Sequence, residues 1–172
     1  LVTDMSFMFV SASAFNQNLG SWDTSSVTDI SYMFANARLF NQDIGNWNTS
    51  SLINLSGAFA LAVSFNQDIG SWNVENVINF DNLFMGVSLS SANYDGLLLG
   101  WKNQNLISGA TLSVGSTICC AYNAQIARDL IRSSRNWTLI DGGVCALSDK
   151  DFQGVVGAVS AYPNPVNDVL QI

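Results

Sequence analysis

Between positions 2 and 101 the apolar residues of this chain recur in a fixed order. An aliphatic residue (Val2, Val27, Leu52, Val77) is followed at the third place by another apolar one (Met5, Ile30, Leu55, Phe80) and then by a phenylalanine (Phe9, Phe34, Phe59, Phe84). Mostly polar and small residues separate them, and the whole pattern advances by 25 residues at a time. The segments FNQNLGSW at 15–22, FNQDIGNW at 40–47 and FNQDIGSW at 65–72 keep one frame without a slip. Units therefore run 2–26, 27–51, 52–76 and 77–101, the last decayed, with LSSAN where the others have FNQD or FNQN. A fixed period between about 20 and 50 residues marks an array in which a unit buries its apolar face only by stacking on its neighbours. The expected fold is an α/β repeat solenoid over 1–101.

Within one unit the spacing predicts a short strand from the aliphatic residue to the next apolar one, then a helical or 3₁₀ turn through SYMF that inserts its phenylalanine. Small residues follow at Ala12, Ala37, Ala62 and Val87, where the chain bends inward. FNQDIG then carries it round the outside with Phe40 and Ile44 pointing in. Gly45 is expected to adopt a backbone angle that a side chain would resist. Asn16, Asn41 and Asn66 could form a row for a sugar or a ladder that satisfies loop backbone, and the ladder is favoured because a buried loop must pair its polar groups. Trp22, Trp47 and Trp72 could stack on carbohydrate or on one another, and stacking in the core is favoured.

After residue 90 the pattern lengthens. SSANYDGLLLGWKNQ reads as a helix with Leu97, Leu98 and Trp101 inward, and ATLSV as a strand. NAQIARDLIRSSR reads as a helix with Ile126, Leu130 and Ile131 on one face and Asn123 as its N-cap, and WTLI at 137–140 as a closing strand. This helix-strand-helix-strand segment, 102–145 together with the helix before it, is expected to cap the apolar stack.

Composition narrows the function classes. Apolar residues make up 48% and charged residues 11%, so a large core is dressed mainly in uncharged polar groups. A net charge of −7 with six basic residues argues against nucleic acid or an anionic membrane as partner. No apolar run approaches the roughly 20 residues of a bilayer span, so no membrane insertion of this chain is expected. Without histidine, serine and cysteine triads lack their usual base, and no phosphate loop or nucleophile elbow appears. Asp43 and Asp68 could approach as a glycosidase pair does, but Asn18 holds the first place in that row and catalysis is not expected. Asp43 with Asp68, or Asp4 with Asp29, supplies hard oxygen atoms, which makes calcium a minor alternative. No cofactor is expected.

The units VTDMSFMF…AFNQNLGSWDTSS resemble the BspA-like leucine-rich-repeat surface proteins, whose repeat was first catalogued among mycoplasma lipoproteins. The segment YDGLLLGW…ATLSV…ARDLI…WTLIDGG.C is similar to the one that closes such arrays in Bacteroidetes members, and AYPNPVNDVLQI resembles the opening of a type IX secretion C-terminal sorting domain. The resemblance implies a leucine-rich-repeat-like solenoid, a linker at 146–161 and the start of a sorting domain at 162–172; because the first unit opens at Leu1 without the polar capping segment that ends a solenoid, the N-terminal part of a longer array is expected to be missing. It implies an exported protein, displayed on the outer surface or secreted, that takes part in adhesion to a host or neighbouring-cell protein or glycan. In an extracytoplasmic setting a disulfide persists, and Cys145 is expected to pair with Cys120, with Cys119 the alternative. The expected binding face is the solvent side of the strand ribbon: Thr3, Asp4, Thr28, Asp29, Ile53, Asn54, Ile78 and Asn79. Ile53 and Ile78 favour recognition there, whereas a uniform polar ladder would favour a structural spacer.

Overall fold

A computed structural model describes residues 1–145, and the linker and sorting-domain readings at 146–161 and 162–172 lie outside the described residues. Two helices and two short strands are present, α1 (Ser91–Trp101), β1 (Thr111–Ser113), α2 (Tyr122–Arg135) and β2 (Thr138–Ile140), with β1 and β2 paired in parallel. These fall where the hydrophobic pattern placed the elements of the cap. Residues 1–90 carry no regular helix or strand and are built from turns and single bridges.

The predicted strand of each unit is one bridging residue, Asp4 on Asp29, Asp29 on Asn54 and Asn54 on Asn79, all parallel. The predicted helical turn is absent as well, for a reason visible in the backbone. Left-handed residues recur at two places per unit: Phe7, Tyr32, Gly57 and Asn82 have φ of 59°, 53°, 60° and 57°, and Ser11, Asn36, Leu61 and Gly86 have φ of 58°, 58°, 59° and 72°. Each reverses the course of the local turn, and every second N–H then leaves its own unit. Met5, Phe7, Phe9 and Ser11 donate to the carbonyls of Asp29, Ser31, Met33 and Ala35 at 2.9, 3.0, 2.8 and 2.7 Å. The intervening amides of Met8, Val10 and Ala12 close turns on Met5, Phe7 and Phe9. Ile30 to Asn36 repeat this on the third unit, and Leu55 to Leu61 on the fourth. A helix would spend these donors inside one unit, whereas this arrangement spends half of them between units. The left-handed angle costs a non-glycine residue roughly 1–2 kcal/mol, which the inter-unit bonds offset.

Side chains stack with the same register. Phe9, Phe34, Phe59 and Phe84 form a column with ring centroids 5.6, 5.7 and 5.7 Å apart. Phe15, Phe40 and Phe65 form a second column beside it, and Trp47 lies on Trp72 at 6.1 Å. Phe34, Phe40, Phe59, Phe65, Phe84 and Trp72 are fully buried, while Phe9, Phe15 and Trp22 of the first unit are half-buried. The indole N–H of Trp47 donates to the Leu19 carbonyl and that of Trp72 to Ile44. Trp101 donates to Ile69 and so continues the same rung, while Trp137 donates to Ile107, which lies beside Ile78 and Asn79 of the ribbon. Trp101 therefore stands where the tryptophans of the repeats stand, with the outer arc before it rewritten as α1, whereas Trp137 directly precedes β2 and packs on Phe80 at 4.8 Å beside the ribbon.

Three further sequence expectations need correction. Gly45 does not adopt a left-handed angle; a Cβ there would lie 2.9 Å from the Asp68 carbonyl of the next unit, so close approach selects the glycine. Gly70 meets α1 in the same way, against Gly96 and Gly100, which explains glycines inside that helix. In α2 the buried face is Ala124, Ala127, Arg128 and Ile131, while Ile126 and Leu130 are exposed. The α2 N-cap is Ala121, not Asn123. Ala121 has no capping side chain, and the Asp95 carboxylate of α1 supplies the acceptor, taking the amides of Cys120 and Ala121 at 3.0 and 2.7 Å.

One position generates a direct test of packing. Thr24 donates its hydroxyl to the Asn48 carbonyl, whereas the equivalent Thr49 hydroxyl is buried without a partner, and the third unit carries the fully buried Val74 there. Thr49→Val should raise stability by about 1 kcal/mol in urea denaturation by removing an unpaired buried hydroxyl. A loss of stability would show that the hydroxyl is bonded.

Candidate functional site

The ribbon is made by the first residues of each unit. Thr3 accepts the Thr28 amide at 2.8 Å and its hydroxyl at 3.1 Å, Thr28 accepts the Ile53 amide at 2.8 Å, and Ile53 accepts the Ile78 amide at 2.9 Å. Thr3, Thr28, Ile53 and Ile78 thus lie in one row. Asp4, Asp29, Asn54 and Asn79 form the row beside it, joined by the single-residue bridges. The structure brings all eight residues predicted as a binding face together.

The second row is less free than its polarity suggests. Asp4, Asp29, Asn54 and Asn79 each accept the amide two residues on, at 2.8, 2.7, 3.0 and 2.9 Å, which fixes the entry to the turn ladder. The Asn54 amide also donates to the second Asp29 oxygen at 3.0 Å. Hydrogen bonds from the side chain and then the amide of Ser6 hold the Asp4 carboxyl below the usual carboxylate range. Asp29, Asn54 and Asn79 are half-buried, while Asp4 is exposed. Groups free to meet a partner are in the first row, where Ile53 is 41% and Ile78 66% exposed. Sequence reasoning missed Phe7, which is 54% exposed and stacks on Tyr32 at 5.3 Å next to the ribbon. Its left-handed backbone, invisible in the hydrophobic pattern, turns the ring outward.

The other candidate rows are occupied in building the arc. Asn41 and Asn66 donate their amides to the side-chain oxygens of Asn16 and Asn41 at 2.9 and 2.8 Å, and Asn66 in turn accepts the Ser90 amide at 2.7 Å. Asp43 and Asp68 accept the amides of Gly45 and Gly70 at 2.9 and 2.8 Å. Asn18 accepts the Gly20 amide at 2.8 Å, so an uncharged oxygen performs the same task and the position does not require a carboxylate. Among the described residues, no three His, Cys, Asp or Glu side chains are grouped closely enough to hold a metal ion.

A buried polar cluster that sequence reasoning also missed lies in the cap. Asp141, with a side chain 1% exposed, accepts Tyr94 Oη at 2.6 Å, Arg128 Nε and Nη2 at 2.8 and 2.7 Å, and the Gly143 amide at 3.0 Å. Burial alone would push its carboxyl up, but the bonds from Arg128, Tyr94 and Gly143 hold it below the usual range. Burial, followed by the Asp141 hydrogen bond, pushes Tyr94 well above the ordinary phenol value. The bond to Asp141 raises Arg128 despite its burial. The available signal was Arg128 itself, a charged residue on the alanine-rich face of α2. Among the described residues each charge here is matched, and the cluster ties α1, α2 and the segment after β2 together.

Cys120 is bonded to Cys145 with Cα atoms 4.9 Å apart, and Cys119 is free. Cys119 bridges Val144 and points into the core, so the residue after it points out toward Cys145. Burial and the neighbouring Asp95 push the Cys119 thiol up to about 12, which leaves it protonated and unreactive near neutrality. Among the described residues, no helix is long and apolar enough to cross a membrane.

Residues 1–97 match the profile of a family described as Mycoplasma protein of unknown function, DUF285, associated with BspA-like repeat proteins. That match takes in more than half of the chain, and the chain belongs to this family. No curated protein and no solved structure matches it.

The cap cluster sets a pH dependence. Because the folded Asp141 carboxyl titrates below its unfolded value, its stabilisation is present above about pH 4 and is lost as pH falls through the folded value. Asp141→Ala should cost about 3–5 kcal/mol at pH 7, since it leaves Arg128 buried and unpaired. Urea denaturation from pH 7 to pH 2 should show the difference between wild type and variant shrinking below about pH 4. A difference that stays constant across that range would assign the stabilisation to packing rather than to the ion pair.

Proposed function

We propose that this DUF285 chain is a non-catalytic bacterial surface or secreted repeat protein that binds a macromolecule, a protein or glycan of a host or neighbouring cell. In this reading its stacked units are a leucine-rich-repeat-like solenoid, the ribbon from Thr3 to Asn79 is the contact face, and 102–145 closes the array. The observation that carries the proposal is the exposure of Ile53 and Ile78 in the outer ribbon row, beside a row whose polar groups are spent on the backbone. Apolar groups held at fixed spacing on a stiff hydrogen-bonded ribbon present contact area with little ordering cost. Export fits the bond between Cys120 and Cys145, which an oxidising compartment preserves. The type IX sorting reading of AYPNPVNDVLQI belongs to the same proposal.

A structural spacer is the second reading. The paired Asp29 and Asn54 side chains favour it, because a row of turn-forming residues extends an array without recognising anything. Calcium or glycan binding through the acidic positions is a weaker alternative, given the turn bonds those positions already make.

Two double variants separate these readings on protein and glycan arrays. Ile53→Ser with Ile78→Ser should weaken binding to array ligands at least tenfold, with stability changed by less than about 0.5 kcal/mol per site. Asp29→Ala with Asn54→Ala should instead lower the melting temperature, because both remove turn-closing acceptors. Array ligands retained at full affinity by the isoleucine variant would refute the ribbon as the contact face, and no ligand on either array would favour the spacer. Glycan hydrolysis abolished by Asp43→Asn would overturn the non-catalytic reading.

A further inference from the structure

Every Asp and Asn side chain of residues 1–101 makes a hydrogen bond among the described residues, with two exceptions, Asp81 and Asn82. The exceptions are neighbours in the turn of the fourth unit, and both break the repeat. Serine stands at 6, 31 and 56 where the fourth unit has Asp81, and Phe7, Tyr32 and Gly57 stand where it has Asn82. Their backbone is bound into the fold all the same. Asp81 donates its amide to the Asn79 side chain at 2.9 Å and its carbonyl accepts the Gly57 amide at 2.8 Å, while the Asn82 carbonyl accepts the Met85 amide at 3.0 Å. The turn is fixed, and these two exposed side chains are carried on it without a bond among the described residues.

Both line a cavity of about 320 Å³ that has β1 on its other side. Alternation along β1 turns Leu112 into the core, 2% exposed, and leaves Thr111 and Ser113 on the face that lines the cavity. The hydroxyls of Thr111 and Ser113 also make no hydrogen bond among the described residues. Ile140, paired with Ser113, and Met85, from the turn, add apolar surface that is 52% and 43% exposed. No lysine or arginine is among the described residues that line the cavity.

These groups specify a ligand. The Asp81 carboxylate accepts, the Asn82 amide donates and accepts, and each hydroxyl can do both. The matching molecule carries several neutral groups that both donate and accept, on a frame with a C–H surface to lay against Met85 and Ile140. An anion is disfavoured, because it would meet the Asp81 carboxylate with no cation beside it. The volume lies near the lower end of the roughly 300–1,000 Å³ of small-molecule sites, which suits a ring rather than a folded surface. We infer that this cleft binds a neutral pyranose residue of a glycan, with Asp81 accepting from its hydroxyls and Asn82, Thr111 and Ser113 completing their hydrogen bonds. It is a site separate from the ribbon and uses none of the ribbon residues, so it goes beyond the contact face proposed above and can fail without it.

NMR titration of the full 172-residue chain tests the site. The probes are millimolar methyl glycosides of glucose, galactose, mannose and N-acetylglucosamine, with sialic acid and tetralysine as charged comparisons. At least one neutral glycoside should move the signals of Asn82, Thr111 and Ser113 saturably, and neither charged probe should. Asp81→Ala and Ser113→Ala should each weaken that binding at least tenfold with the melting temperature and aromatic signals of the wild type kept, and Ile53→Ser should leave it unchanged. Should Asp81→Ala disturb the fold, Ser113→Ala decides alone. Absence of shifts with every neutral glycoside, or shifts that survive both cleft variants, overturns the inference. Saturable shifts at these residues with tetralysine but no glycoside would make the cleft a cation site and overturn the sugar assignment. Glycoside binding removed by Ile53→Ser and kept by Asp81→Ala would place recognition on the ribbon, so the cleft would fail while the ribbon reading stood.

Discussion

The structure depends on one constraint, that an amide on alternate residues of each turn segment must meet a carbonyl of the following unit. Met5 to Ser11 on Asp29 to Ala35 is the first instance, and the next two copy it. Meeting that constraint demands left-handed residues at two places per unit, and the chain accepts them even at Phe7, Tyr32 and Leu61. Everything else is held to the same register. Rings lie on rings of the same position, Asn16, Asn41 and Asn66 hand hydrogen bonds from one arc to the next, and Asp or Asn closes the turn at each ribbon position.

The cap obeys the constraint on one side of the molecule and abandons it on the other. On the arc side Trp101 continues the indole rung, Asn93 bonds Asn66 in place of a glutamine, and α1 lies against Gly70 through its own glycines. On the ribbon side a true strand pair, β1 with β2, replaces the turn ladder, and among the described residues the amides of Phe80, Asn82, Phe84 and Gly86 meet no carbonyl. Stability of the cap then falls to a different chemistry: the Asp141 cluster, the Asp95 cap on α2 and the bond between Cys120 and Cys145. A covalent link across 25 residues and a buried ion pair are the devices expected where repeat stacking no longer supplies the cohesion.

Much of this was legible in the sequence because repetition is itself a structural statement. The period, the inward phenylalanines, the four cap elements and the eight ribbon residues follow from spacing alone. What escaped was decided by contacts between units. A helical turn was expected through SYMF because its composition permits one, and inter-unit bonding overrides that preference at Tyr32. Gly45 was assigned to a turn angle when a neighbour's carbonyl selects it. Arg128 and Asp141 lie 13 residues apart with no motif to join them, and their pairing emerges only when α2 packs on α1. Trp101 was visible as a residue, but the longer arc before it hid that it occupies the repeat's own position.

If the ladder is what organises the chain, its register matters more than its length. Deleting residues 27–51 removes one whole 25-residue unit and joins two equivalent positions, while deleting 27–50 leaves every later unit one residue out of step. Thermal unfolding followed by near-ultraviolet circular dichroism of the two shortened chains distinguishes the cases through their many stacked aromatic rings. The first deletion should keep the native aromatic signal and a single cooperative transition, at a lower temperature than the full chain, and the second should lose both. Equal behaviour of the two would contradict the claim that inter-unit register holds this fold together.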